Sequence, residues 1–231
     1  MLIKNAEALE RFEKIDTLVV DKTGTLTEGK PKVTALKAAG GTDEAEVLRL
    51  AATLERASEH PLAAAIVAAA QERGLAPGTA EEFDSPVGKG VTGTADGRRL
   101  VIGSLRIMSE ERVDLSLAGE AEALRGEGAT VIFVSIDGHL AGLIAIADPV
   151  KATTPAAVAA LRGAGIRVVM LTGDNRTTAQ AVARRLGIEE VEAEILSRTR
   201  RRWWRGCGRR GGSSPWAGVR MSRSRARARR F

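Results

Sequence analysis

The sequence predicts an α/β protein in which a parallel-sheet domain is split in two by an inserted α+β module. Three observations predict it. Thr17-Leu18-Val19-Val20 is a short apolar, β-branched run that reads as a buried parallel strand ending at Asp21. Ile166-Arg167-Val168-Val169-Met170-Leu171 reads as a second such strand, ending at Thr172-Gly173-Asp174-Asn175. Between them the pattern changes to helical spacing followed by hairpin signals, as expected of an α+β module. The split domain takes residues 1–29 and 141–196, and the insertion takes 30–140.

Each element has a local reason. After Asp21, the run Lys22-Thr23-Gly24-Thr25-Leu26-Thr27 suits a tight loop whose N–H and hydroxyl groups can hold a phosphate. From Asp43 to Ala57, Val47, Leu48, Leu50, Ala51 and Leu54 recur at helical spacing. Pro61 stands at a first helical position and opens an Ala-rich helix to Arg73. Asp96-Gly97 joins Val91–Thr94 to Leu100–Ile102, and Asp137-Gly138 joins Val131–Ile136 to Leu140–Ile146, so both read as hairpins. A helix over about Pro155–Arg162 precedes the second parallel strand. Another follows it from Arg176 to Leu186, with Ala179, Val182, Ala183 and Leu186 on one face and Gly187 as its C-cap. There is no internal repeat.

Composition restricts the class further. At 231 residues and 44% hydrophobic content the chain can bury one large or two modest cores. No apolar stretch approaches the roughly 20 residues that span a bilayer, and Met1-Leu2-Ile3-Lys4-Asn5 is too short and polar for a signal peptide. The lone Cys207 can form no internal disulfide, in keeping with a reducing compartment. The net charge of +6 would ordinarily point to nucleic acid, but residues 197–231 hold 13 of the 35 basic residues and none of the 29 acidic ones. The first 196 residues are net acidic, so basicity belongs to the tail alone. That tail contains all three Trp, no Lys and no regular period, and is expected to be disordered. Two readings of it stay open: an arginine-rich nucleic-acid arm, or GC-rich sequence translated out of frame.

The chemistry centres on Asp21. A carboxylate at the C-terminal tip of a parallel strand sits where open α/β sheets place ligands. Its attack on a γ-phosphoryl group forms an acyl phosphate, and two anions can meet only with a cation and N–H donors present. Lys22, Thr23 and the Gly24 backbone are the donors to hand. Thr23 stands where many aspartate-based phosphatases carry a second Asp as acid/base, and Thr cannot move a proton in that way. A slowly hydrolysed phosphoenzyme is the expectation.

Asp21 to Thr27 resembles the phosphorylation motif of P-type ATPases, and Asn5-Ala6-Glu7-Ala8-Leu9-Glu10 resembles the context of that motif in their heavy-metal branch. The resemblance covers about residues 1–196. It implies a haloacid-dehalogenase-like phosphorylation domain with an inserted nucleotide-binding domain, ATP and Mg2+ as cofactors, and Asp21 and Thr23 as metal-binding positions. Ser58-Glu59-His60-Pro61-Leu62 resembles the heavy-metal ATPase nucleotide site, in which His60 orients the nucleotide. Glu55, on the same helix–turn–helix, accepts a hydrogen bond from the adenine amino group in that scheme. Gly88-Lys89-Gly90 resembles the family's glycine loop, so Gly88 and Gly90 let backbone approach the nucleotide. Asp148-Pro149-Val150-Lys151 and Thr172-Gly173-Asp174 resemble its phosphate-cradling motifs, with Asp148, Lys151 and Gly173 lining the ligand, Thr172 bonding the phosphoryl group and Asp174 organising the loop. His139, beside a hairpin glycine, is an ordinary exposed residue.

Departures from the family pattern matter as much. Ile102-Gly103-Ser104-Leu105 stands where copper-type relatives carry Gly-Asn and a basic residue. Neither the expected Lys nor a Gly-Asp-Gly-x-Asn-Asp loop follows Asp174. Trp216–Ser222, shifted by two nucleotides, permits Gly-Arg-Gly-Thr-Asp-Val, which resembles a family segment beyond that loop. The expectation is therefore a truncated, impaired, ATP-binding catalytic fragment of a copper-type ATPase. It would be a cytoplasmic monomer, meeting a membrane only through the transmembrane part of its parent and binding no nucleic acid. The alternatives are a free-standing phosphatase of the same superfamily, for which Thr23 is the wrong residue, and nucleic-acid binding through residues 197–231.

Overall fold

The computed structural model describes residues 16–86 and 88–195, together with the backbone of 220 and 221. The chain divides into two compact units whose boundaries fall at Gly29/Lys30 and Pro149/Val150. The expected insertion 30–140 is thus too short at its C-terminal end. The Asp137-Gly138 turn commits the whole apolar run after it to antiparallel pairing, so residues 141–149 belong to the inserted unit.

The first unit is a parallel sheet. Strand β1 (Thr17–Asp21) pairs with β8 (Arg167–Leu171) in register from Thr17 opposite Arg167 to Asp21 opposite Leu171. Beyond β8 lies β9 (Glu190–Glu192). Helices α5 (Thr154–Gly163) and α6 (Arg176–Leu186) bury Val158, Ala179, Val182, Ala183 and Leu186 in one core with Leu26, Val168 and Met170. α6 forms where its apolar spacing predicts. The Asn175 side chain accepts the Thr178 N–H at 2.9 Å, and Gly187 closes the helix at φ 67°, a left-handed conformation that costs other residues energy. On the outer side of β1 the backbone of β10 (Arg220–Met221) runs parallel, opposite Leu18 and Val19. Disorder is therefore the wrong expectation at these two residues: they pair as a strand along the outer side of β1, and backbone N–H and C=O groups at a sheet edge favour such pairing. The other readings made for the tail, and those for residues 1–15, lie outside the described residues.

The second unit, Lys30–Pro149, is built on a six-stranded antiparallel sheet ordered β2-β7-β6-β5-β4-β3. In chain order these are β2 (Lys32–Ala38), β3 (Ala80–Asp84), β4 (Gly90–Ala95), β5 (Arg98–Gly103), β6 (Thr130–Ile136) and β7 (His139–Ala147). The Asp96-Gly97 and Asp137-Gly138 turns both have two consecutive positive φ angles, the geometry that matches the twist of paired strands. Helices α1 (Glu44–Glu55) and α2 (Pro61–Glu72) share a core with Leu100, Ile102, Val134, Ile144 and Ile146. On the other face, α3 (Leu105–Glu110) and α4 (Ala118–Gly126) pack with Val101, Val131, Phe133 and Leu143. Being buried on both faces explains why β6 and β7 read as continuous apolar runs rather than alternating ones. No helix among the described residues is long and apolar enough to cross a membrane.

Phe133 is the largest fully buried side chain of the second face. Phe133→Ala should destabilise the inserted unit by about 3–5 kcal/mol, read as a lower urea midpoint in circular dichroism.

Candidate active site

In the first unit the register of β1 and β8 decides what meets. Because Asp21 lies opposite Leu171, the segment after Asp21 and the segment Thr172-Gly173-Asp174 leave the sheet at one edge. Residues Lys22–Leu26 form a tight turn rather than a regular helix: Thr23 is extended and Gly24 is left-handed at φ 75°. Thr27 closes it. Its N–H and its hydroxyl both donate to the Lys22 carbonyl at 3.1 Å, and its hydroxyl oxygen accepts the Gly24 N–H at 3.2 Å. The segment Val150–Thr154 stitches the turn from outside. Val150 bridges to Thr27, the Lys151 N–H and Thr154 hydroxyl donate to Leu26, and the Lys151 ammonium donates to Gly24.

Lys22 is buried and forms an ion pair with Asp174. Asp174 is itself held from both sides: its N–H donates to the Thr172 hydroxyl oxygen at 3.1 Å and its carbonyl accepts the Glu194 N–H. Thr172 is 2% exposed, and its backbone bonds to Glu192 and Ile195. Asp21, Lys22, Thr23, Lys151, Thr172, Gly173 and Asp174 therefore belong to one neighbourhood of the first unit. Asp148 belongs to the other, inserted unit, where its carboxylate accepts the Lys30 N–H at 3.0 Å.

The second candidate site lies in the inserted unit. Glu55 ends α1, Ser58 caps the turn, and His60 precedes α2. Glu55 is 7% exposed with one carboxylate oxygen unpaired. Burial pushes its carboxyl above the ordinary carboxylate range, against a smaller opposing effect of the Ser58 hydrogen bond. An orphaned buried acceptor of this kind is a place for a ligand donor such as an amino group. The His60 Nδ1 accepts the Leu62 N–H at 3.2 Å, which leaves Nε2 as the protonated nitrogen facing out. Partial desolvation holds the ring below the usual histidine range. Gly88 has φ 77° with open space beside it, while a Cβ on Gly90 would collide with the Ile102 carbonyl and Gly103. The Lys89 carbonyl accepts the Ser104 N–H at 3.2 Å and hydroxyl at 3.4 Å. Ser104 thus supports the glycine loop, and Leu105 begins α3. His139 is exposed.

Three residues make contacts that the sequence does not announce, two of them within quoted motifs. Thr27 ends the quoted motif but does structural work there; Ser58 tunes Glu55; Thr154 reaches a carbonyl 128 residues away. For a metal, the described residues contain no cluster of three or more His, Cys, Asp or Glu. Asp21 and the Thr23 carbonyl are hard oxygen donors of the type magnesium takes when it keeps waters and shares substrate phosphate oxygens. They fit such a shared ion.

Residues 15–216 match the family model for haloacid dehalogenase-like hydrolases. The chain is 59% identical over 197 residues to a silver-exporting P-type ATPase of Salmonella typhimurium, covering 85% of this chain and 24% of that protein. It is 54% identical to a copper-transporting P-type ATPase of Rhizobium leguminosarum bv. viciae, with 85% and 23% covered. It thus spans about a quarter of the length of these curated relatives. Among solved structures, a zinc-transporting PIB-type ATPase in its E2.Pi state superposes with a TM-score of 0.66 at 38% identity, covering 88% of this chain and 33% of that one. The catalytic CPx-ATPase domain CopB-B gives 0.62 at 26% identity, with 88% and 70% covered.

Because the Glu55 carboxyl is raised by burial, the fold favours its protonated form. Glu55 contributes stability that is present below the ordinary carboxylate range and is lost as pH rises through its elevated value, whereas Asp96, Glu110 and Asp137, held low mainly by Arg49, Lys89 and Arg98, contribute in the opposite sense and are unaffected by changes at Glu55. Glu55→Gln should remove that loss. Urea midpoints measured across pH would show it, and equal slopes for both proteins would refute burial as the cause.

Proposed function

We propose that the chain, which belongs to the haloacid dehalogenase-like hydrolase family, is the ATP-binding catalytic part of a heavy-metal P-type ATPase, a cation transporter of the copper type. The observation that carries the proposal is the β1–β8 register, which sets the Asp21 loop and Thr172-Gly173-Asp174 at one sheet edge. In the inserted unit, Glu55 accepts from the adenine amino group, His60 donates through Nε2, and Gly88 and Gly90 let backbone approach the phosphates. In the first unit, Asp21 is the phosphoryl acceptor. One carboxylate oxygen bonds to the γ-phosphorus as the bond to the β–γ bridging oxygen breaks, and ADP carries that electron pair away. Magnesium, held by Asp21 and Thr23, would supply charge neutralisation between the two anions.

Thr172 donates its hydroxyl to the transferred group, while Lys22, positioned by Asp174, contributes positive potential. Thr23 offers no proton to water or leaving group, so the acyl phosphate persists long enough to be coupled to other events. In the intact protein that coupling would move a copper-type metal ion, as substrate, across a membrane. On this reading this part lies on the cytoplasmic side, with ATP as its partner.

Titration calorimetry should show ATP binding, weakened about tenfold or more in His60→Ala, the scale of losing a charge-assisted hydrogen bond. Absence of heat with the unmodified chain would overturn the reading. The chain should also release no p-nitrophenol from p-nitrophenyl phosphate with magnesium. Steady turnover of that ester would favour a simple phosphatase instead.

A further inference from the structure

We propose that Thr154 and Lys151 are positioning residues that hold the Asp21 loop in its phosphate-accepting form by binding its carbonyl oxygens; this rests on the reading of Asp21 as phosphoryl acceptor. The physical requirement is electrostatic. A loop that receives an anion has to turn N–H groups toward it, because every carbonyl oxygen turned the same way repels it. Three carbonyls in this loop are each tied to donors. The Lys22 carbonyl takes the N–H and hydroxyl of Thr27. The Gly24 carbonyl takes the Lys151 ammonium at 2.7 Å. The Leu26 carbonyl takes the Lys151 N–H at 3.1 Å and the Thr154 hydroxyl at 2.8 Å.

The alternate carbonyls 22, 24 and 26 are thereby secured, and three of the five bonds come from two residues 127 and 128 positions away. Thr154 is 5% exposed, so its hydroxyl has to find a partner inside the protein. α5 has no side-chain cap: this hydroxyl, at the first helical position, serves the distant Leu26 carbonyl instead of the helix. Lys151 has the charge expected of a phosphate ligand, yet its ammonium is engaged by backbone. Its influence on the phosphoryl group passes through the position of Gly24. Short-range sequence pattern carries no trace of either bond.

Hydrogen exchange on the full chain without nucleotide tests the clamp. Thr154→Val should accelerate exchange of the amides of residues 24–27 about tenfold, the effect of losing one buried hydrogen bond, with α6 and the inserted sheet unchanged. Thr154→Ser keeps the hydroxyl and should exchange at the original rate. Lys151→Met should loosen the same segment around Gly24, and it supplies the test if Thr154→Val does not fold. Unchanged loop exchange in Thr154→Val and Lys151→Met would overturn the proposal. So would acceleration spread equally through β8 and α6, which would mark Thr154 as a general stability residue. ATP titration reports separately: a chain that bound no nucleotide would remove the functional reading, while the exchange data would still judge the clamp.

Discussion

Parallel pairing of β1 with β8 is the constraint on which the candidate active site depends. Two parallel strands in register end at the same edge, so the chain leaving Asp21 and the chain leaving Leu171 emerge side by side. A slip of one residue would send every side chain of β1 to the opposite face. Leu18 and Val19, like Val168 and Val169, are buried on opposite faces, so a slip would exchange side chains fitted to two different packing environments. The register then propagates outward. Thr172, one residue past β8, is held through Glu192 and Ile195, and Asp174 is brought to Lys22.

The two candidate sites handle buried charge in opposite ways. In the first unit the buried Lys22 ammonium is paired with the Asp174 carboxylate. A buried pair of this kind gains little net stability over apolar residues, but removing one partner leaves an uncompensated charge. Its role is to orient Lys22. In the inserted unit, Glu55 has burial without a matching cation, and its carboxyl rises in response. One site pairs its buried cation with a carboxylate; the other retains an open acceptor and an imidazole donor. That difference suits a group that must be held still for chemistry and a surface that must exchange a ligand.

Much of this was legible in the residues. Asn175, Gly187 and the apolar positions of α6 act within one helix, and Asp96-Gly97 and Asp137-Gly138 act within four residues, so local pattern sufficed. The motif at Asp21 was legible because seven consecutive residues carried it. The boundary after β7 was not. An apolar run such as Leu140–Ile146 fits a buried strand of either sheet, and only the neighbours β2 and β6 assign it. β2 itself is a short, mixed strand at the edge of its sheet, with too weak an alternation to stand out. The pairing of Arg220 and Met221 with β1 follows from an open edge, which no period in the tail announces.

By itself the sequence determined the chemistry on offer: a carboxylate nucleophile at a strand tip, Thr rather than Asp two residues on, and a histidine before a proline-led helix. Those properties reside in residue types and short spacings, where covalent chemistry and local geometry are enough. Tertiary structure alone decided which groups are spent and which stay available. Lys151 is committed to the Gly24 carbonyl, Thr154 to Leu26 and Asp174 to Lys22, whereas Glu55 keeps an unpaired oxygen. Hydrogen bonds and ion pairs form between groups that folding brings within about 3 Å, and separation along the chain places no limit on which groups those are.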